Sequence, residues 1–122
     1  MLDHKHLISK GALSKILTIE DVTVLIDTLV DILDMKYVAT MPANPVVGYE
    51  PNENPGVTGV GIITTSHIVL HTWDETMLYQ LDVYSCKDFH PSQVNEVLKL
   101  YGMQESDRKF FDRNYNIQEI NI

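Results

Sequence analysis

The clearest pattern of hydrophobic and polar positions along the chain predicts an amphipathic helix after Thr18. Apolar residues recur there at helical spacing, namely Val22, Leu25, Ile26, Leu29, Val30 and Leu33. Thr18 is a suitable N-cap, and Glu20 and Asp21 place negative charge in the first turn, where the helix dipole favours it. Three aspartates fall between the apolar positions, so we expect one buried face and one solvated acidic face.

A second, shorter helix is predicted to begin at His90. Pro91 suits the first turn because proline has no N–H to leave unpaired there, and Gly102 is a suitable C-terminal stop. Its apolar stripe consists of Val94, Val97, Leu98 and Tyr101. We therefore expect a helix of about three turns that packs by one face.

The remaining apolar runs are β-branched or alternate with polar residues, which predicts strands. They cover 7–9 (weakly), 35–41, 57–73, 77–86 and an edge strand with a tail from 107 to 122, while the Gly-, Pro- and Asn-rich stretch 48–56 predicts a loop. The order of elements favours an α+β fold: a two-layer sandwich in which two helices cover one face of a mainly antiparallel sheet. Residues 1–122 are expected to form a single domain.

Charge and composition exclude several classes of partner. The net charge of −8 and the pI near 4.9 argue against nucleic acid, which requires clustered Lys or Arg, and suit a small cationic ligand. No apolar stretch approaches the roughly 20 residues of a membrane helix, and no signal-peptide pattern is present. With a single cysteine there is no internal disulfide, and we expect a cytoplasmic protein.

A polar cluster interrupts the apolar run at its centre, around Thr65 and Ser66. Side chains alternate faces along a strand, so Ser66 and His71 would point to opposite sides of one regular strand. If they cooperate, the backbone must bend between them. We therefore predict two strands, 57–63 and 68–73, joined by a strained turn at Thr65–Ser66 that exposes the peptide bond between these residues.

Three segments in register resemble a known family. They are Gly56–Ile63, then Ser66–Trp73 followed by Glu75, then Leu81–Cys86. Together they resemble the small bacterial and archaeal S-adenosylmethionine decarboxylase proenzymes, and Lys5-His6-Leu7 resembles the start of that family's first strand. The resemblance is strongest from 56 to 86 and extends more loosely over most of the chain.

The resemblance implies a protein that cleaves itself to make its own cofactor. Ser66 would attack the preceding carbonyl, and elimination would yield chains 1–65 and 66–122, the second capped by a pyruvoyl group. That covalent group is the implied cofactor, with no metal. The implied substrate is S-adenosylmethionine, decarboxylated to the aminopropyl donor for spermidine, and the implied assembly is a homodimer.

The resemblance also assigns roles to individual residues. His71 matches the histidine that abstracts a proton during processing, and Thr58 stands where the family usually has a serine that assists this step. Cys86 matches the cysteine that reprotonates the substrate carbon, and Glu75 the acid that binds the ribose. Tyr49 is the aromatic residue nearest to the position that stacks on adenine.

Two departures from the family pattern leave alternatives open. Thr65 replaces the usual glutamate before the serine, and Asn52 replaces the usual aromatic residue. One alternative is a pyruvoyl-dependent decarboxylase of a basic amino acid, arginine or ornithine. Another is an unprocessed homologue that acts as a binding or regulatory partner. His4 and His6 lie near the terminus, so we expect them to be exposed and to form no metal site.

Overall fold

The computed structural model describes residues 2–122, which form two helices and seven strands. In chain order the elements are β1 (Lys5–Leu13), α1 (Ile19–Ile32), β2 (Val46–Glu50), β3 (Gly56–Ile63), β4 (Ser66–Trp73), β5 (Leu78–Ser85), α2 (Pro91–Leu100), β6 (Met103–Asp112) and β7 (Gln118–Glu119). The strands form one antiparallel sheet in the order β2-β3-β4-β5-β1-β6-β7. The predicted α+β class is confirmed.

Both helices pack on the same face of the sheet. α1 contacts β2 and β3, α2 contacts β6, and the two helices contact each other. Between the layers lies an apolar core whose fully buried members include Leu7, Val22, Leu25, Ile26, Leu29, Ile68, Leu70, Leu81 and Val83. Within residues 2–122, neither helix is long and apolar enough to cross a membrane.

The opposite face of the sheet carries no helix. We call it the open face; its central residues are His6, Ile8, Thr58, His67, Val69, His71, Trp73, Gln80, Asp82 and Tyr84. Ile8 is 46% exposed there, whereas its neighbour Leu7, on the helix side, is 0% exposed. The alternation predicted for a sheet with one covered face is therefore present.

Some predicted element boundaries are wrong. The segment 35–41 is not a strand, because only Tyr37 bridges to the end of β3. The Asn44 side chain, instead of a strand, bonds to the N–H and C=O of Ile62 on β3, at 3.0 Å and 2.7 Å. The predicted loop 48–56 begins as the end of β2 and ends in the first residue of β3. The last long strand, β6, starts at Met103 and is not an edge strand, since β7 pairs with it.

The predicted strained turn is present, between β3 and β4. Thr65 has a φ of +51°, a left-handed conformation that a β-branched residue rarely adopts. β4 begins at Ser66, two residues earlier than predicted, and continues regularly through His71. The expected bend between Ser66 and His71 is therefore wrong, because the bend precedes Ser66. Within one copy these side chains point to opposite faces, roughly 16 Å apart along the strand.

Candidate active site

Ser66, Thr65 and Cys86 meet at one end of the sheet. Antiparallel pairing brings the start of β4 beside the end of β5, and Cys86 directly follows β5. The backbone N–H of Cys86 donates a hydrogen bond to Ser66 Oγ at 3.0 Å. Thr65 Oγ1 lies 3.1 Å from Cys86 Sγ. A hydroxyl nucleophile, the peptide bond before it and a thiol therefore occupy the same corner.

The surroundings of Cys86 favour its ionised form. A hydrogen bond from Thr65 is the largest cause, followed by one from Ser66, and together with the charge of Lys87 they hold the pKa of Cys86 below its usual value. The side chain is partly exposed, so it can be reached by small molecules. These are features of a reactive cysteine rather than of a buried structural one.

A cavity of about 200 Å³ opens beside this corner. It is lined by Asp34, Met35, Lys36, Ile63, Thr64, Ser66, Ser85, Cys86 and Lys87. Lys87 Nζ donates to the carbonyl of Asp34 at 2.8 Å and contacts its carboxylate at 3.2 Å. Lys87 was not predicted to belong to the site, although its position directly after Cys86 could have indicated that it lies there.

Thr58 and His71 form a second group, on the open face. They are directly opposite each other in the β3–β4 register, and Thr58 Oγ1 lies 3.0 Å from His71 Nδ1. The two residues assigned to assist processing are thus brought together, but away from Ser66 of the same copy.

The two residues assigned to substrate binding lie toward the end of β4 that is remote from Ser66. Glu75 is in the turn between β4 and β5. The Tyr49 hydroxyl donates to the carboxylate of Asp74 at 3.1 Å, and this hydrogen bond raises the pKa of Tyr49. Asp74, the neighbour of Glu75, was missed by sequence reasoning. Tyr49 is 46% exposed, so its ring is accessible.

A third cluster on the open face joins three strands. His6 Nε2 and His67 Nε2 lie 2.8 Å and 3.0 Å from the same oxygen of Asp82. Burial raises the pKa of Asp82, but the hydrogen bonds and charges of the two imidazoles outweigh it and lower the pKa overall. The expectation that His6 is exposed is wrong, because only 17% of its side chain is accessible and β1 lies inside the sheet.

The ligand atoms of His6, His67 and Asp82 all lie within 4.8 Å of one another, close enough to surround a metal ion. Arg113 Nη1 lies 3.3 Å from the other ring nitrogen of His6 and places a positive charge beside the cluster. A carboxylate that accepts from both imidazoles is satisfied without a cation. We therefore interpret the cluster as a hydrogen-bonded network.

Comparison with known proteins identifies the family by sequence. The family model described as S-adenosylmethionine decarboxylase matches residues 6–114. Among curated relatives, the S-adenosylmethionine decarboxylase proenzyme of Archaeoglobus fulgidus is 45% identical over 49 residues, which cover 39% of this chain and 42% of that protein. That of Saccharolobus solfataricus is 41% identical over 61 residues, covering 43% of this chain and 48% of the relative. Each of these matches spans less than half of the relative's length.

The fold has a counterpart among solved structures. The adenosylmethionine decarboxylase from Aquifex aeolicus superposes with a TM-score of 0.69 and covers 99% of this chain and 98% of that one. Its sequence identity is 23%, so this match supports the fold alone. The sequence match over residues 6–114 covers most of the chain. The chain therefore belongs to the S-adenosylmethionine decarboxylase family.

Proposed function

We propose that this chain is a self-processing, pyruvoyl-dependent decarboxylase of S-adenosylmethionine. Two features at the start of β4 support the proposal most directly. Ser66 directly follows Thr65, whose backbone is in the left-handed conformation, and Ser66 Oγ accepts a hydrogen bond from the backbone N–H of Cys86. The names of the curated relatives favour this substrate over a basic amino acid. The sulfonium cation of S-adenosylmethionine also suits a chain of net charge −8.

Processing would begin with attack of Ser66 Oγ on the carbonyl carbon of Thr65, which converts the peptide bond into an ester. Removal of the Ser66 α-proton then expels the Thr65 carboxylate and leaves dehydroalanine, and hydrolysis releases ammonia and leaves the pyruvoyl group. The left-handed backbone of Thr65 costs about 1–3 kcal/mol, and cleavage relieves this strain. The products are chains 1–65 and 66–122.

The pyruvoyl group would supply an electron-withdrawing carbonyl that binds the substrate amine and accepts the electrons released with carbon dioxide. Cys86 would return a proton to the substrate carbon, and the cavity that Cys86 and Ser66 both line supports this role. No metal ion is required for these steps.

The separation of Ser66 from His71 within one copy supports a homodimer. The open face carries the apolar side chains of Ile8, Val69 and Trp73 among its polar ones and has no helix over it, so a second copy can cover it. If two open faces pack about a twofold axis near this end of the sheet, the partner's Thr58 and the partner's His71 can approach the Thr65–Ser66 peptide bond at the start of β4, although the Ser66 side chain itself points to the helix side. His71 would then act as the base in processing and Thr58 would position its ring, with Glu75 and Tyr49 left at the rim to bind the nucleoside.

Intact-mass spectrometry of the purified protein tests the proposal. We expect two chains, divided between Thr65 and Ser66, with the second blocked at its N-terminus, and one full-length chain for Ser66→Ala. Carbon dioxide release from labelled S-adenosylmethionine, ornithine and arginine then identifies the substrate. A wild-type chain that stays whole would contradict the proposal and favour the non-catalytic alternative, and release from ornithine or arginine alone would contradict the substrate.

A further inference from the structure

The hydroxyl of Thr65 occupies an unusual position between two groups. Its oxygen lies 3.1 Å from Cys86 Sγ and 2.8 Å from the carbonyl oxygen of Thr64. The residue has a left-handed φ of +51° in the turn between β3 and β4. Thr65 therefore contacts, through its side chain, the cysteine that follows β5.

We propose that Thr65 is a positioning residue for Cys86: while the chain is intact its hydroxyl holds the cysteine sulfur beside Ser66, and cleavage after Thr65 releases the sulfur. The consequence for catalysis rests on the function proposed above. The contact itself does not, because it is present in the uncleaved chain.

A hydroxyl has one proton, so two arrangements are possible. The Thr65 hydroxyl donates to an ionised sulfur, or it donates to the Thr64 carbonyl and accepts from the protonated thiol. Both arrangements hold Cys86 Sγ at the same place, and the first also favours the ionised form. A residue without a hydroxyl at position 65 would provide neither.

Cleavage makes Thr65 a chain terminus. Its backbone is then free to leave the left-handed conformation, which is unfavourable for a β-branched residue. As it relaxes, the hydrogen bond to Cys86 is lost. The sulfur is thereby engaged during processing. Once released, an ionised sulfur takes up a proton from solvent, so that a free thiol is available when the substrate carbon must receive a proton. Whether Cys86 is held by Thr65 thus depends on whether the chain has been cleaved.

The pH profile of Cys86 alkylation by iodoacetamide tests this proposal. The uncleavable Ser66→Ala chain is compared with the same chain carrying Thr65→Val, Thr65→Gly or Thr65→Ser. Valine keeps the shape of threonine, glycine accepts the left-handed backbone, and serine keeps the hydroxyl. We expect alkylation at pH 7 to be roughly tenfold slower with valine and glycine, as expected for loss of one hydrogen bond to an ionised group, and restored with serine.

Circular dichroism confirms that each variant is folded, and either hydroxyl-free variant is sufficient for the comparison. Unchanged alkylation profiles for valine and glycine would overturn the proposal. The alkylation profile of processed wild type tests the release of Cys86 after cleavage. The uncleaved Ser66→Ala chain is a suitable reference, because neither protein has the Ser66 hydroxyl. We expect the profile of processed wild type to lie at higher pH than that of the uncleaved Ser66→Ala chain, and an equally acidic profile would overturn the release step.

The two proposals fail in different ways. If wild type never cleaves, the proposed function is contradicted, yet the variant series in the uncleaved chain still decides the contact between Thr65 and Cys86. If wild type cleaves and the series shows no effect of the hydroxyl, the positioning role is wrong and the proposed function is unaffected.

Discussion

At the scale of single residues, Asp82 carries the most connections on the open face. Its carboxylate joins His6 of β1 and His67 of β4, and it lies on the strand between them. His67 directly follows Ser66, so the network also restrains the start of β4. Replacing one carboxylate oxygen therefore weakens contacts among three neighbouring strands.

We predict that Asp82→Asn lowers the melting temperature by roughly 3–5 °C at pH 7, because a neutral amide accepts hydrogen bonds less strongly than a carboxylate. Folding lowers the pKa of Asp82 below 3.8, so the stabilisation is present above the unfolded value and is lost as pH falls through the folded value. Differential scanning calorimetry between pH 2 and 7 measures this. The deficit of the variant should disappear at the acidic end.

Asp31→Asn is the matched control, since this aspartate of α1 is exposed and its carboxylate accepts no hydrogen bond among the described residues. Its melting temperature should follow wild type at every pH. A deficit of Asp82→Asn that is the same at pH 2 and pH 7 would show that the ionised carboxylate is not its cause.

At the scale of elements, α1 begins with a reciprocal capping box. Thr18 Oγ1 accepts from the N–H of Asp21 at 3.0 Å, and the Asp21 carboxylate accepts from the N–H of Thr18 at 2.9 Å. These two bonds satisfy donors that the first turn leaves unpaired. Because α1 supplies much of the core, its N-terminus contributes to the stability of the whole sheet.

Thr18→Ala should lower the free energy of unfolding by about 1 kcal/mol, the usual value of an N-cap hydroxyl. Urea denaturation measures the loss. Thr23→Ala serves as the control, because the Thr23 hydroxyl only donates back to the carbonyl of Ile19 within the helix and caps nothing. Alanine favours helix, so the control should be neutral or slightly stabilising. An equal loss in both variants would argue against a capping role.

At the scale of the whole molecule, the sheet separates the assigned residues into groups that one copy does not bring together. Ser66 and Cys86 lie at one corner, whereas Thr58 and His71 lie on the open face. The proposed dimer resolves this separation by supplying the second group from a partner. The prediction is that each complete site draws on two chains.

Co-expression of two defective chains tests this prediction. His71→Ala alone should process about 10²–10⁴ times more slowly, the range typical for a lost general base, and Ser66→Ala alone should not process. Together they form mixed dimers, in which the partner's His71 stands beside the intact Ser66. We therefore expect the share of the His71→Ala chain that is in mixed dimers to be cleaved at near the wild-type rate, while the share in His71→Ala homodimers stays intact, as measured by mass spectrometry.

The matched control is co-expression of His71→Ala with the double variant Ser66→Ala/His71→Ala, which supplies a partner without the imidazole. Here the His71→Ala chain should stay intact. Rescue by both partners, or by neither, would show that Ser66 does not use His71 from a second chain.

Sequence reasoning was most successful where the signal is local. The helix capped by Thr18, the helix starting after His90 and the strained turn at Thr65 were all predicted, and each depends on residues adjacent in the chain. It was less successful at 35–41, where an apolar run resembles a strand but makes a single bridge, because β2 and the Asn44 side chain take the neighbouring positions on the same edge of β3. A segment forms a strand only where another strand is available to pair with it, and the residues next to the segment in the sequence do not reveal that partner.

What the sequence determined by itself was the order of the elements, the faces that each one buries and the residues that resemble the family's reactive groups. These follow from helical and strand periodicity, turn chemistry and motif spacing. Only the tertiary structure decided that His6, His67 and Asp82 meet, and that His71 faces away from Ser66. β1 lies between β5 and β6, which brings His6 close to Asp82. The face to which each strand residue points, and the place where the chain bends, are set by pairing between segments that are distant in the sequence.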